Sequence, residues 1–208
     1  MARIDSLGPL LFTLIATACG GSSTADGSNT GGTSTGGTST GGTGGKLPDA
    51  CVVSTAEPAP HAVTFRFNNT SGSSLYIVET CFLDYTVKSC ADGYVAEVQR
   101  DSMCTELCSA NAGCLACGAC AWLGKEIPTG TSLESTWEGY SYTLHDIPGM
   151  AGCQCHERHE APAGRYRVEV DVYASAIDAE TGQAPLRTVP VDFELPAPNG
   201  IVDIALNP

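Results

Sequence analysis

The chain has 208 residues and 11 cysteines, with 10 Lys and Arg against 23 Asp and Glu, a formal charge of -13 on a sequence only 16% charged. That balance excludes the basic stripe with which a nucleic-acid binder neutralises phosphates, and it excludes the polybasic patch of a membrane-surface protein. The 42% hydrophobic content can fill a single-domain core, and so many cysteines in so short a chain point to an oxidising compartment.

Arg3 precedes an apolar run from Leu7 to Ala18. At about a dozen residues the run is shorter than the roughly 18 to 20 that cross a bilayer as a helix. It has the length of a signal-peptide core, so residues 1–18 are assigned to a signal peptide. Ala16-Thr17-Ala18-Cys19-Gly20 resembles the lipobox of bacterial lipoproteins. The resemblance implies that Cys19 is acylated, that it becomes the first residue of the mature chain and, from Gly20, that the protein is sorted to the outer membrane. Ala16 and Ala18 also satisfy the small-x-small rule of ordinary secretory cleavage, which leaves a secreted or periplasmic protein as the alternative. Parity separates the two readings. With Cys19 carrying lipid, the remaining ten cysteines can all pair; without it, an exported protein keeps an odd thiol.

Residues 19–48 are assigned to a tether, in which the stretch from Gly20 to Gly45 is almost wholly Gly, Ser and Thr, with the unit Thr-Ser-Thr-Gly-Gly at Thr33 repeated at Thr38. Such a segment has nothing apolar to nucleate a core, and glycine maximises the entropy lost on ordering. It is expected to be a disordered tether with a root-mean-square reach of about 28 Å.

A folded domain is expected over residues 49–208. Val63, Phe65 and Phe67 alternate with polar neighbours, and Asn68-Asn69-Thr70-Ser71-Gly72 supplies turn residues before Leu75, so the pattern predicts a β-hairpin. Leu133, Ser135 and Trp137 alternate further on, and Tyr166, Val168, Val170 and Val172 face away from Arg165, Arg167, Glu169 and Asp171. This is the pattern of an antiparallel strand with one wet face. Val189, Val191, Phe193 and Leu195 repeat it, with Pro190 marking an edge strand, and Val202, Ile204 and Leu206 end the chain. The fold class is mainly β, a sandwich interrupted by a cysteine-rich, partly helical insertion at about residues 90–125. In that insertion Asp101-Ser102 is placed to cap a short helix that would pair Met103 with Leu107 and Cys104 with Cys108 at four-residue spacing.

The segments Pro128-x-Gly130 to Trp137 and Ala161-Pro162-Ala163-Gly164-Arg165-Tyr166 resemble the strand-turn-strand pattern of immunoglobulin-like modules in bacterial surface proteins, including BsuPI-type proteinase-inhibitor domains. The resemblance implies an immunoglobulin-like sandwich and carries proteinase inhibition as an analogy only.

Three kinds of chemistry compete for the cysteines. In the first, Cys51, Cys81, Cys90, Cys104, Cys108, Cys114, Cys117, Cys120, Cys153 and Cys155 form up to five disulfides of unassigned connectivity. In the second, Cys153, Cys155, His156 and His159 hold zinc or copper, since thiolates and imidazoles are concentrated there within seven residues. In the third, the Cys114-x2-Cys117-x2-Cys120 run serves a metal, an iron–sulfur cluster or thioredoxin-like redox chemistry. Disulfides are preferred, because export exposes thiols to oxidation and no βαβ pattern surrounds the run. His156-Glu157-Arg158-His159 lacks the four-residue histidine spacing of zinc proteases and reads as an exposed polar loop.

No nucleophile elbow, phosphate loop or dinucleotide fingerprint occurs in the sequence. His145 beside Asp146 makes no acid–base pair on a strand, where neighbours face opposite ways. Trp122, Trp137, Tyr140 and Tyr142 form either a glycan- or peptide-binding patch or part of the core. The expectation is a non-enzymatic surface lipoprotein. It has no cofactor, touches the membrane through its lipid, meets a protein or glycan partner at the cell surface, and does not bind nucleic acid. A metal-binding envelope protein and an inhibitor-like module are the alternatives.

Overall fold

A computed structural model describes residues 49–207, so Cys19, the signal peptide and the tether lie outside the described residues. Strands form at Val63–Asn68 (β1), Leu75–Glu79 (β2), Thr86–Ser89 (β3), Glu106–Leu107 (β4), Leu123–Ile127 (β5), Ser132–Trp137 (β6), Tyr140–Asp146 (β7), Gln154–Glu160 (β8), Gly164–Val172 (β9), Arg187–Leu195 (β10) and Ile201–Ala205 (β11). One α-helix, α1 at Ala176–Glu180, is capped by the Ser175 hydroxyl, which accepts from the Asp178 N–H at 3.2 Å.

The described residues are mainly β, in four small sheets ordered β11-β1-β6, β10-β9-β3, β2-β5 and β4-β8-β7. Two-residue periodicity explains the first two. Val63, Phe65 and Phe67 of β1 and Tyr166, Val168, Val170 and Val172 of β9 are buried, while their neighbours along each strand face out. One apolar cluster joins these faces to Leu75 and Ile77 of β2, Ile127 of β5 and Ile204 of β11. Phe65 lies at its centre, with its ring 5.1 Å from Tyr85 and 5.3 Å from Phe193, both edge to face.

β1 runs parallel to β11 and antiparallel to β6, and β2 pairs with β5, so the expected β1–β2 hairpin does not form. Asn69 is the reason. It is fully buried, donates from Nδ2 to the carbonyls of Ser73 (2.9 Å) and Ile127 (2.7 Å), and accepts at Oδ1 from the Ser71 N–H (3.0 Å). These bonds hold an Asx-type turn that carries the chain from one sheet to another instead of folding it back.

The helix expected after Asp101 is also absent. The Asp101 carboxylate accepts from the Met103 N–H at 2.8 Å, but Met103 and Cys104 adopt left-handed φ values of 48° and 56°, and the chain continues into β4. Cys104 and Cys108 bond to different partners, Cys117 and Cys155. Helical structure in the insertion is reduced to one 3-10 turn at Cys90–Asp92.

Tyr166 anchors the entry to β9. Its hydroxyl donates to the Pro162 carbonyl at 2.8 Å, and burial pushes its pKa from 10.0 up to about 12. A phenol harder to ionise in the folded chain than in the unfolded one holds its proton after the unfolded chain has lost it. The stability tied to this proton is therefore complete below pH 10 and is lost as pH rises toward about 12. Tyr166→Phe is expected to cost about 1 kcal/mol at neutral pH and to remove this part of the alkaline loss. Denaturant melts of both proteins across that pH range, with ultraviolet titration of the phenols, measure it; equal alkaline slopes refute the assignment.

Candidate functional site

The ten cysteines among the described residues form five bridges: Cys51–Cys90, Cys81–Cys120, Cys104–Cys117, Cys108–Cys155 and Cys114–Cys153. Their Cα separations, from 4.9 Å for Cys108–Cys155 to 6.1 Å for Cys104–Cys117, lie in the usual disulfide range. The Cys114, Cys117 and Cys120 run diverges to three distant partners, so it presents no dithiol for metal or redox chemistry.

The four-residue set Cys153, Cys155, His156 and His159 is broken up. Both sulfurs are bonded to other sulfurs. His156 is buried, with Nδ1 2.9 Å from the Thr105 hydroxyl and its ring edge-on to Tyr142 at 5.2 Å. His159 lies on the opposite face of β8, because three positions along a strand reverse the side. Residues 156–159 are strand and not an exposed polar loop, paired along their whole length with β7.

That pairing assembles a group the sequence does not show. β7 and β8 align Ser141 with His159, Thr143 with Glu157 and His145 with Cys155, which puts His145, Glu157 and His159 on one face. Nε2 of His145 is 3.6 Å and Nε2 of His159 is 3.8 Å from the same carboxylate oxygen, Oε2 of Glu157. The side chains are 47%, 52% and 55% exposed for His145, His159 and Glu157. Among the described residues, no group of three or more His, Cys, Asp and Glu side chains is placed to hold a metal ion. Asp146 does not face His145; it accepts from Gln154 Nε2 at 3.1 Å.

The aromatic residues separate into core and cleft. Trp137 is buried, its ring 5.7 Å from Tyr166 and its Nε1 donating to the Tyr140 carbonyl at 2.7 Å. Arg158 lies 4.5 Å from the Tyr140 ring centre, and Trp122 is exposed away from the cleft. The cleft, about 270 Å³, is lined by Phe82, Tyr85, Arg100, Trp137, Tyr140 and Tyr142 among others. It shares Phe82, Asp101 and Ser102 with a groove of about 480 Å³ bounded by Met103 and by the Cys81–Cys120 and Cys104–Cys117 bridges. The Arg100 guanidinium stacks 3.7 Å over Tyr85 and donates from Nη2 to the Tyr85 carbonyl, while its Nε is buried without a partner. Phe82 and Met103 are more than half exposed, so this wall of the cleft offers free apolar surface beside a fixed cation.

No family model, no curated protein and no solved structure matches the chain.

Thiol titration of the unreduced chain in denaturant is expected to find no reactive cysteine within residues 49–207, and replacing Cys108 and Cys155 together by Ser is expected to cost about 2 to 4 kcal/mol. Chemical denaturation measures the second; a variant as stable as the parent shows that the bridge does not hold the β4-β8-β7 sheet.

Proposed function

We propose that the chain is an exported, lipid-anchored surface protein whose disulfide-bonded domain is a non-enzymatic binding module. The observation that carries this reading is complete cysteine pairing within the domain, in which ten of the 11 cysteines bond among themselves and Cys19 is the one outside the five bridges. An exported chain uses cysteines in pairs, and an odd one in an Ala-Thr-Ala-Cys-Gly context has a ready use as the acyl acceptor. Each buried methylene of an attached chain contributes about 0.8 kcal/mol, so two or three chains make the anchoring stable. The outer membrane is the proposed address.

A non-enzymatic role fits the way the reactive side chains are used. The cysteines are cross-links, and His156 is packed between Thr105 and Tyr142. A protein or glycan partner would meet the cleft and groove around Phe82, Arg100 and Met103, where apolar surface and a cation adjoin. Nucleic acid is disfavoured by charge: Arg3, Asp5, Asp26 and Lys46 cancel, so the full -13 resides in residues 49–208.

The immunoglobulin-like reading of the sandwich belongs to the same proposal. It is supported by the Tyr166–Pro162 bond, which has the form of a tyrosine corner. The parallel β1–β11 pair beside antiparallel partners also supports it.

Mass spectrometry of the mature protein from bacterial membranes tests the anchor. The expected N-terminal residue is Cys19 bearing diacylglycerol, with precursor accumulating under globomycin, and Cys19→Ala is expected to lose both lipid and membrane retention. An unmodified Cys19 in the wild-type protein refutes the anchor.

A further inference from the structure

We propose that the Cys104–Cys117 bridge is a thiol-exchange site, the one of the five disulfides that an external thiol opens while the domain stays folded. Access, loop length and backbone conformation all single it out. It alone of the five has both cysteines exposed; every other bridge has at least one cysteine buried or part-buried. A thiolate must reach a sulfur directly, so access sorts the bridges by rate. The bridge also joins cysteines only 13 positions apart, against 39 to 47 for the others. The constraint a cross-link places on the unfolded chain grows with loop length, so this one contributes least to stability. Met103 and Cys104, with φ values of 48° and 56°, are the central residues of a turn closed by the Thr105 N–H, which donates to the Ser102 carbonyl at 2.9 Å. Turns with two left-handed central residues take Gly, Asn or Asp. Met and Cys hold these positions under strain, which cutting the bridge allows the turn to release.

The neighbouring bridges keep the change local. Cys108 and Cys114 lie between the ends of the opened bridge and stay tied to Cys155 and Cys153, and Cys120 stays tied to Cys81. Opening therefore frees the Ser102–Thr105 turn and residues 115–119 and leaves the β4-β8-β7 sheet cross-linked. Cys104 and Cys117 line the groove of about 480 Å³ beside Phe82 and Met103, so the bridge is reached from solvent and its state sets the shape of that wall. In the exchange, an external thiolate attacks one sulfur, the S–S bond breaks, and the other sulfur leaves as a thiolate that takes a proton from water. A second external thiol then attacks the mixed disulfide. The bridge gains two electrons as the two external thiols become a disulfide. The bridge is the electrophile, so no free dithiol is needed in the Cys114, Cys117 and Cys120 run. The domain's negative charge repels anionic thiols, so an uncharged dithiol is the fitting co-reactant.

This inference rests neither on the lipid anchor nor on a surface partner, so it succeeds or fails separately from them. The oxidised full-length protein is treated with graded dithiothreitol without denaturant and quenched with iodoacetamide. It is then denatured, fully reduced and labelled with N-ethylmaleimide, and peptide mass spectrometry reads the order in which the bridges opened. Cys104 and Cys117 are expected to take the first label together, about tenfold or more faster than any other pair, with the circular dichroism of the folded domain unchanged at that stage. Replacing both by Ser is expected to abolish the fast phase and leave the other four bridges opening at parental rates; where that variant does not fold, the labelling order in the wild-type protein decides. A different bridge opening first overturns the proposal, as does simultaneous opening of all five with loss of the folded signal.

Discussion

The Cys108–Cys155 and Cys114–Cys153 bridges hold in place a three-stranded sheet that supplies nothing to the hydrophobic core. None of β4, β7 and β8 contributes a residue to the apolar cluster that unites the other three sheets. β8 reads Gln-Cys-His-Glu-Arg-His-Glu, a strand whose buried positions are only Cys155 and His156. Apolar burial at roughly 25 cal/mol per Å² cannot order a surface so polar. The cross-links act on the unfolded state, shortening the loops available to it, and so replace a driving force that the composition lacks.

This division of labour decides where the molecule is free to carry function. The cluster around Phe65 demands shape and volume, and substitutions there are felt as cavities or strain. The covalently held sheet makes few such demands. Its inner contacts are a small polar-aromatic layer in which Tyr142 meets His156 and Arg158 covers Tyr140. Its other face bears His145, Glu157 and His159 in open solvent, where polar side chains are placed without cost to packing. The cleft beside Arg100 and the groove next to it lie along the same cross-linked region.

Strands β1, β9 and β11 are legible in the sequence because each has one apolar and one polar face, and the alternation records burial directly. β7 and β8 lack that contrast, so residues 156–159 read as a loop. Pairing is harder still. The turn chemistry at Asn69 suggests a hairpin equally well as a crossover, and only the Ile127 carbonyl, 58 positions away, decides between them. The cap at Asp101 is real as a hydrogen bond, but it closes a turn; the bridges from Cys104 and Cys108 override what four-residue spacing suggests. Disulfide partners are global facts of the fold and leave no local mark. The His145–Glu157–His159 group is invisible for the same reason, since its members meet only once the register across the Ile147–Cys153 turn is set.

The Cys51–Cys90 bridge has a mechanical meaning. Residues 52–62 precede the first strand and are tied to the domain by the short Val52–Gly164 bridge and, at their far end, by the buried His61, whose backbone packs against Gly139. A pull applied to the chain ahead of residue 49 does not have to peel this segment away before reaching β1. It meets a sulfur–sulfur bond at Cys51 and passes to Cys90, at the end of β3, which is paired directly with the long central strand β9. The load is shared across a sheet in place of being concentrated on one strand end. A domain drawn from its N-terminal side by drag or by a moving partner therefore resists as a block, and its first point of failure is shifted from hydrogen bonds to covalent chemistry.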